Sequence, residues 1–239
     1  MSLNAKEQPR GGKPIDPVDA GSYPARLVQV IDMGVQEQSY NGEAKAPKQE
    51  INTTYEALDE FLKNEDGSDN EEKPYWFSEN FALNHLSSDR AKSTERYYAL
   101  DPKGKWDGDW TKLVNTPCVI TVIQQPDKKT PSIIRNKIAN VSAMRDKDAI
   151  RAKELVNPEV VFSLENDSKE NFEVFEKLPD WIKDRIKKAL NFEDTPFGRA
   201  FRGEKTASVK AIANQEVSQS VSDDIPFEGE PEPDDDGNW

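Results

Sequence analysis

The order of sequence elements predicts a mainly β protein with helices: five strands arranged β-β-β-α-β-β, then a helical extension, then an acidic tail. Three observations carry this. Stretches rich in β-branched and aromatic residues recur between clusters of turn formers. One stretch between the third and fourth of them carries helical start and stop signals instead. The last 22 residues, from Ser218 to Trp239, hold eight carboxylates and no lysine or arginine, so they are expected to stay solvated rather than to bury a core.

Residues 1–20 contain Gly11-Gly12-Lys13-Pro14 and further turn formers without periodicity, which predicts a flexible N-terminal arm. The core is expected over residues 21–145. From Gly21, GSYPARLVQVIDMGVQ carries apolar residues on both alternating sets, as a long curved strand does when its two faces bury different things. Gly34 marks a bulge near its end. Tyr40, Asn41-Gly42, Lys45, Pro47 and Lys48 put an exposed hairpin loop at 37–48. A second strand, 49–61, sets Ile51, Thr53, Tyr55 and Ala57 on one face against Asn52, Thr54, Glu56 and Leu58 on the other. Six acids and one lysine predict a long polar loop at 60–72. Its Asp66-Gly67-Ser68-Asp69-Asn70 lacks the full register of a calcium loop and reads as a turn. Tyr75-Trp76-Phe77 opens a third strand that runs to Leu83. Ser87 or Ser88 caps a helix from Asp89 to Leu100, which Pro102 ends. After the turn-rich DPKGKWDGDW come a fourth strand, 116–123, and, past a short loop with Lys128, Lys129 and Pro131, a fifth, 133–144.

A helix inserted between the third and fourth of five strands is the connectivity associated with the OB-fold barrel; another small antiparallel barrel is the alternative. Residues 146–201 read as a helical extension packed on this core. Short pieces, including Val160-Val161-Phe162, lead to an amphipathic helix over 179–190. Trp181, Ile182, Ile186, Ala189 and Leu190 form its stripe, and Lys187 and Lys188 stand at its end. Residues 202–239 are linker and disordered acidic tail.

The net charge of −13 looks unsuited to a nucleic-acid partner until the tail is set apart: 45 acids less 8 leaves 37 against 32 bases, or −5, and a groove on such a body can still be basic. The single cysteine, Cys118, lies in the apolar run CVITVI and the single histidine, His85, stands alone, which leaves no disulfide and no Cys/His zinc site. No apolar run has the length of a membrane span and no hydrophobic leader opens the chain, so the expectation is a cytoplasmic protein in a reducing compartment, without membrane contact. Catalysis finds no support: His-based triads are excluded, and there is no phosphate-binding or dinucleotide loop. Asp101, Asp107 and Asp109 are the carboxylates a magnesium-dependent nuclease would use, but they sit among Pro, Gly and Lys, where acids solvate turns. No cofactor, metal or enzymatic activity is expected.

Binding of single-stranded nucleic acid needs aromatic faces for bases and cations for phosphates. In an OB-fold the second and third strands and the first and last hairpin loops supply both. The sequence has candidates in each place. Tyr40, Lys45 and Lys48 lie in the first loop, Tyr55 on the second strand, Tyr75 and Trp76 on the third, and Lys128, Lys129, Arg135 and Lys137 around the last hairpin; Arg26 on the first strand joins them. Alternation gives Tyr75 and Phe77 one face and Trp76 the other, so one of those faces is core.

Within the tail, Asp223-Asp224-Ile225-Pro226-Phe227 sets two charges before an apolar plug whose proline limits the entropy lost on capture, the pattern of a docking peptide. DDIPF resembles the acidic C-terminal tip of bacterial single-stranded DNA-binding proteins, although twelve residues follow Phe227 here. They end in Asp234-Asp235-Asp236-Gly237-Asn238-Trp239, which is similar to the tail end of phage single-stranded DNA-binding proteins. GSYPARLVQVIDMGVQ, the loop through APKQE, NTPCVITV and NVSAMRDKDA extend that resemblance to phage-encoded single-stranded DNA-binding proteins over residues 15–190. The resemblance implies an OB-fold protein that coats single strands without sequence preference during phage DNA replication, recombination and repair, in the host cytoplasm. It further implies that the tail recruits replication proteins such as a DNA polymerase, a primase-helicase or a nuclease. The competing reading is an acidic protein-interaction adaptor or a DNA mimic. Oligomeric state is left open, a homodimer among the options.

Overall fold

Both faces of the first strand are apolar, and the architecture follows from the need to cover each of them. The computed structural model describes residues 16–40, 42–127 and 130–204. Strand β1 (Gly21–Tyr40) pairs antiparallel with β2 (Glu43–Lys63), which pairs antiparallel with β3 (Asp69–Ala82). The other edge of β1 is shared. Residues 21–26 pair with β4 (Pro117–Pro126), which carries β5 (Ile134–Ala143), and residues 29–31 pair in parallel with the short β6 (Val160–Phe162). The result is a mainly β molecule with a six-stranded sheet in the order β3-β2-β1-β4-β5, β6 lying beside β1.

One face of β1 gives Ala25, Leu27 and Val30 to a core with Ile51, Tyr55, Phe77, Phe81, Cys118, Ile120 and Ile138. Helix α1 (Lys92–Leu100) and a 3-10 turn, Trp110–Leu113, plug this core with Tyr97, Leu100, Trp110 and Leu113. The other face gives Ile31 and Met33 to a second core, completed by Phe162, Phe175, Ile182, Ile186, Phe192 and Phe197. Those residues come from β6, from α3 (Lys169–Lys177), α4 (Asp180–Lys187) and α5 (Pro196–Phe201), and from a 3-10 turn, Phe192–Asp194; a single turn, α2 (Asp146–Ala149), precedes them. The extension predicted as helical therefore also contributes a strand. Gly34 makes the fit possible: its φ is +72°, the β1–β2 register shifts there, and a Cβ would stand 2.5 Å from the Ala189 Cβ.

The sheet is not closed into the expected barrel, because no ladder joins β3 to β5. Side chains bridge that gap instead. Tyr75 Oη donates to Asn136 Oδ1 at 3.2 Å. Further along, the buried Arg96 guanidinium of α1 stands between the two edges. It donates to Glu79 Oε1 on β3 at 2.9 Å and to the Ala139 carbonyl and Asn140 Oδ1 on β5, each at 3.2 Å.

Three local expectations are corrected. The 37–48 loop is a paired ribbon, since Asn41-Gly42 is a tight-turn signal that lets β1 and β2 run to its tip. The 60–72 loop shrinks to a turn at 64–68, where Gly67 takes a φ of +84° and Asp66 Oδ1 accepts from the Ser68 N–H and hydroxyl. Helix α1 begins three residues late and without a serine cap, because Ser87 bonds His85 and 85–91 is a run of turns. The described end of the arm is docked: Val18 exchanges bonds with the Asn136 side chain at 2.9 and 2.8 Å.

Candidate nucleic-acid interface

Alternation along β2 and β3 sends Ile51, Tyr55, Phe77 and Phe81 inward, and leaves Asn52, Thr54 and Glu56 of β2 opposite Asn80, Ser78 and Trp76 of β3 on the outer face. These outer pairs are bonded to one another. Gln29 Nε2 donates to Asn52 Oδ1 (3.3 Å), Asn52 Nδ2 to Asn80 Oδ1 (2.6 Å), the Thr54 and Ser78 hydroxyls meet at 2.9 Å, and Trp76 Nε1 donates to Glu56 Oε2 (3.1 Å). The outcome is a hydrogen-bonded polar floor, with a tryptophan and the buried Glu56 carboxylate that holds it at one end. Over it stands the extension, anchored by the β6 pairing, by Arg185 Nη2 on both oxygens of the buried Glu50 (2.9 and 2.7 Å), and by Asp32, which accepts from the Leu164 N–H (3.2 Å). Burial raises the Asp32 pKa, and the N–H groups of Gly34 and Leu164 oppose that rise.

Between floor and extension lies a groove of about 540 Å³, lined by Gln29, Asn52, Thr54, Ser78 and Trp76 on the sheet and by Val174, Lys177, Leu178 and Trp181 on the helices. Trp76 is 41% exposed and Trp181 54%. A second cavity of about 470 Å³ shares Trp76 and Ser78 and extends across the open β3–β5 seam to Ile133, Ile134 and Arg135. Together they form a trough from the β4–β5 hairpin, over β3, to the start of α4. A trough of this kind offers two indole faces to flat apolar rings, amide and hydroxyl groups to polar edges, and a cation at each end, Arg135 and Lys177.

The expected contact residues divide. Trp76 lies at the centre of the trough and Arg135 on its wall, ion-paired to Asp127 at 2.5 Å. Lys137 is exposed in the adjoining cavity beside Arg135. Tyr75 is half-buried at the seam, where it lines the second cavity of the trough beside Trp76 and also a neighbouring cavity with Asp16, Asp19 and Glu60; burial, then Asp16 and Glu60, raises its pKa. Lys45 pairs with Glu43 at 2.9 Å and Lys48 donates to Asn84 Oδ1 at 2.6 Å, both on the β1–β2 ribbon. Tyr40 ends β1; its side chain lies outside the described residues, as do Lys128 and Lys129, the docking segment Asp223, Asp224, Ile225, Pro226 and Phe227, and the terminal Asp234, Asp235, Asp236 and Trp239.

Two expectations are overturned. Tyr55 is fully buried, its face of β2 being core, so its ring is closed to a base; burial also raises its pKa well above the ordinary value. Arg26, 8% exposed, is consumed by the chain itself: Nε donates to the Lys153 carbonyl (2.8 Å), Nη1 to the Asn115 carbonyl (2.7 Å), and Nη2 to the Ala152 carbonyl and Glu154 (3.3 Å each).

Trp181 is the residue that sequence reasoning misplaced. It was assigned with Leu190 to the apolar stripe of α4, yet only Ile182, Ile186 and Ala189 are buried there. Their i, i+4, i+7 spacing already fills one helix face, and that is the signal by which Trp181 could have been set apart. Of the three acids a magnesium-dependent nuclease would use, Asp101 and Asp109 hold local turns. Burial works to raise the Asp101 pKa, but the N–H groups of Lys105 and Trp106 and the Tyr97 hydroxyl outweigh it and leave it lowered, while Asp109 caps the 3-10 turn. Among the described residues no group of three or more potential ligands is placed to hold a metal ion, and no helix is long and apolar enough to cross a membrane. No protein-family model matches the chain, and no curated protein is significantly similar to it.

Proposed function

We propose that the trough binds single-stranded nucleic acid, without catalysis and without sequence preference, and that the sheet is an OB-fold left open along one seam. The observation that carries this reading is the pair of exposed tryptophans, Trp76 and Trp181, contributed by different elements to one groove with a hydrogen-bonded polar floor. The strand order, with α1 between β3 and β4, supports the fold assignment. Bases stack on the two indoles, at about 1–3 kcal/mol each, and phosphates pass Lys177 and Arg135 at the rims. The remaining cations on the β1–β2 ribbon and β5 extend the track as the strand leaves the trough.

The wider role rests on the sequence resemblance: coating of strands exposed in phage DNA replication, recombination and repair, with the acidic tail competing for the cationic rim and docking a polymerase, primase-helicase or nuclease. One observation favours the acidic adaptor or DNA mimic instead. Lys45 and Arg135 are each ion-paired and Arg26 is buried, so the cations expected to gather in one groove do not.

Titration of the intrinsic tryptophan fluorescence with an unstructured oligonucleotide, at low and high salt, separates the two. Saturable quenching that weakens as salt rises is expected, tighter for a chain ending at Glu204 than for the full chain. Absence of quenching by either chain would overturn the single-strand reading and favour the adaptor.

A further inference from the structure

We infer that Glu56 is the positioning residue of the trough: one buried carboxylate fixes both the Trp76 indole and the strap of chain beside it. This inference rests on the single-strand reading of that trough. Glu56 is fully buried and lies directly across the strand pair from Trp76. Its Oε2 accepts from Trp76 Nε1 at 3.1 Å, from the Asn157 N–H at 3.3 Å and from Asn157 Nδ2 at 2.7 Å, and its Oε1 accepts from the Val156 N–H at 2.7 Å. Four N–H donors from two separate segments converge on one side chain. A carboxylate meets all of them as an acceptor, whereas an amide of the same shape must turn its own NH₂ toward at least one.

The other neighbour of Glu56 on the sheet completes the device. Arg26 is its cross-strand partner on β1, and it donates to the carbonyls of Ala152 and Lys153. The strap over residues 152–157 thus gives its carbonyls to Arg26 and its N–H groups to Glu56, so Glu56 is itself immobile. An indole that is two-fifths exposed would otherwise sample several rotamers, and each would have to be given up when a base stacks on it. Tying its N–H to an immobile acceptor removes that cost before the strand arrives, which is preorganisation of the stacking face.

The test is a double-mutant cycle on the full chain, with Glu56→Gln and Trp76→Phe made singly and together, read by affinity for an unlabelled poly-thymidine oligonucleotide at fixed salt. Glu56→Gln is expected to weaken binding about tenfold in the wild-type background and by less than about twofold once Trp76 is phenylalanine, because the bond it serves is already gone. Equal losses in both backgrounds, or no loss in either, overturn the inference. A second readout needs no nucleic acid. The Trp76 indole N–H resonance, identified by its absence in Trp76→Phe, should exchange with solvent more slowly than that of Trp181 and lose this protection in Glu56→Gln; unchanged exchange also overturns it. If the wild-type chain binds no strand, the proposed function falls while the exchange measurement still decides whether Glu56 holds Trp76. Should Glu56→Gln fail to fold, Trp76→Phe cuts the same bond from the other side. A loss of at least about tenfold is then expected, and wild-type affinity overturns the inference.

Discussion

The two faces of β2 and β3 are built from alternate residues of the same two strands, and they solve different problems. Inward, Ile51, Tyr55, Phe77 and Phe81 join residues of β1, β4, β5 and α1 in one buried cluster, and Phe77 contacts both Tyr23 and Tyr75 at ring distances of 5.8 and 4.8 Å. Outward, Asn52, Thr54, Ser78 and Asn80 satisfy one another in rows, so this face needs no partner to cover its polar groups. The extension can then stand off from it and leave a groove. The comparison teaches that the groove persists because its floor is already hydrogen-bonded; an apolar floor would have drawn α3 and α4 down onto it.

That contrast can be broken most forcefully from the inside. Phe77→Ala is expected to cost about 3–5 kcal/mol of stability through lost burial and a residual cavity, measured as a fall in the denaturant midpoint. If the loss is under 1 kcal/mol, the inner face is less well packed than this account requires. On the outer face the balance should reverse. Trp76→Ala and Trp181→Ala should each leave stability within about 1 kcal/mol of wild type, since both rings are exposed. Each should weaken single-strand binding by about 1–3 kcal/mol in a fluorescence-independent assay such as gel retardation. A tryptophan that affected folding but not binding would belong to the core rather than to the trough.

A finer test uses pH. Burial pushes the Cys118 thiol up to about 12, from an ordinary value near 9.0. The folded chain therefore keeps that proton after the unfolded chain has released it. The stabilisation is complete below the ordinary thiol pKa and is lost as pH rises from there toward 12. Between those limits the wild-type denaturant midpoint should fall more steeply with pH than that of Cys118→Ala, and the thiol should resist alkylation until the chain unfolds. The smallest effect lies at the rim. Arg135 is exposed and already paired with Asp127, so Arg135→Ala should reduce affinity only about twofold and lower the salt slope by about 0.7, the increment for one phosphate on a single strand. A change confined to particular base sequences would mean that Arg135 reads bases.

Much of the fold was legible because it depends on local signals. Apolar residues on both sets along 21–36 announce a strand with two buried faces, Gly34 announces the bulge, and a helix does stand between the third and fourth strands and ends at Leu100, although it starts three residues later than its pattern suggests. The trough was legible by half. Trp76 was named from its strand, but Tyr55 shares β2 with the outer-face residues and differs from them only by pleat parity, which a single sequence leaves ambiguous until the neighbours of both faces are known. Arg26 reads as a phosphate contact from sequence because an arginine on a strand is a free cation until a distant segment, here 152–154, takes its bonds.

The sequence by itself determined the order of the first five strands and their helix, the bulged first strand and the acidic composition of the last residues, all properties of near neighbours along the chain. Tertiary structure alone decided that β6 joins β1, that Arg96 and Tyr75 span an open seam, and that Trp181 and Trp76 line one groove. Each of these joins residues far apart in sequence. Their encounter depends on which face of β1 buries which core, and local propensity does not encode that choice.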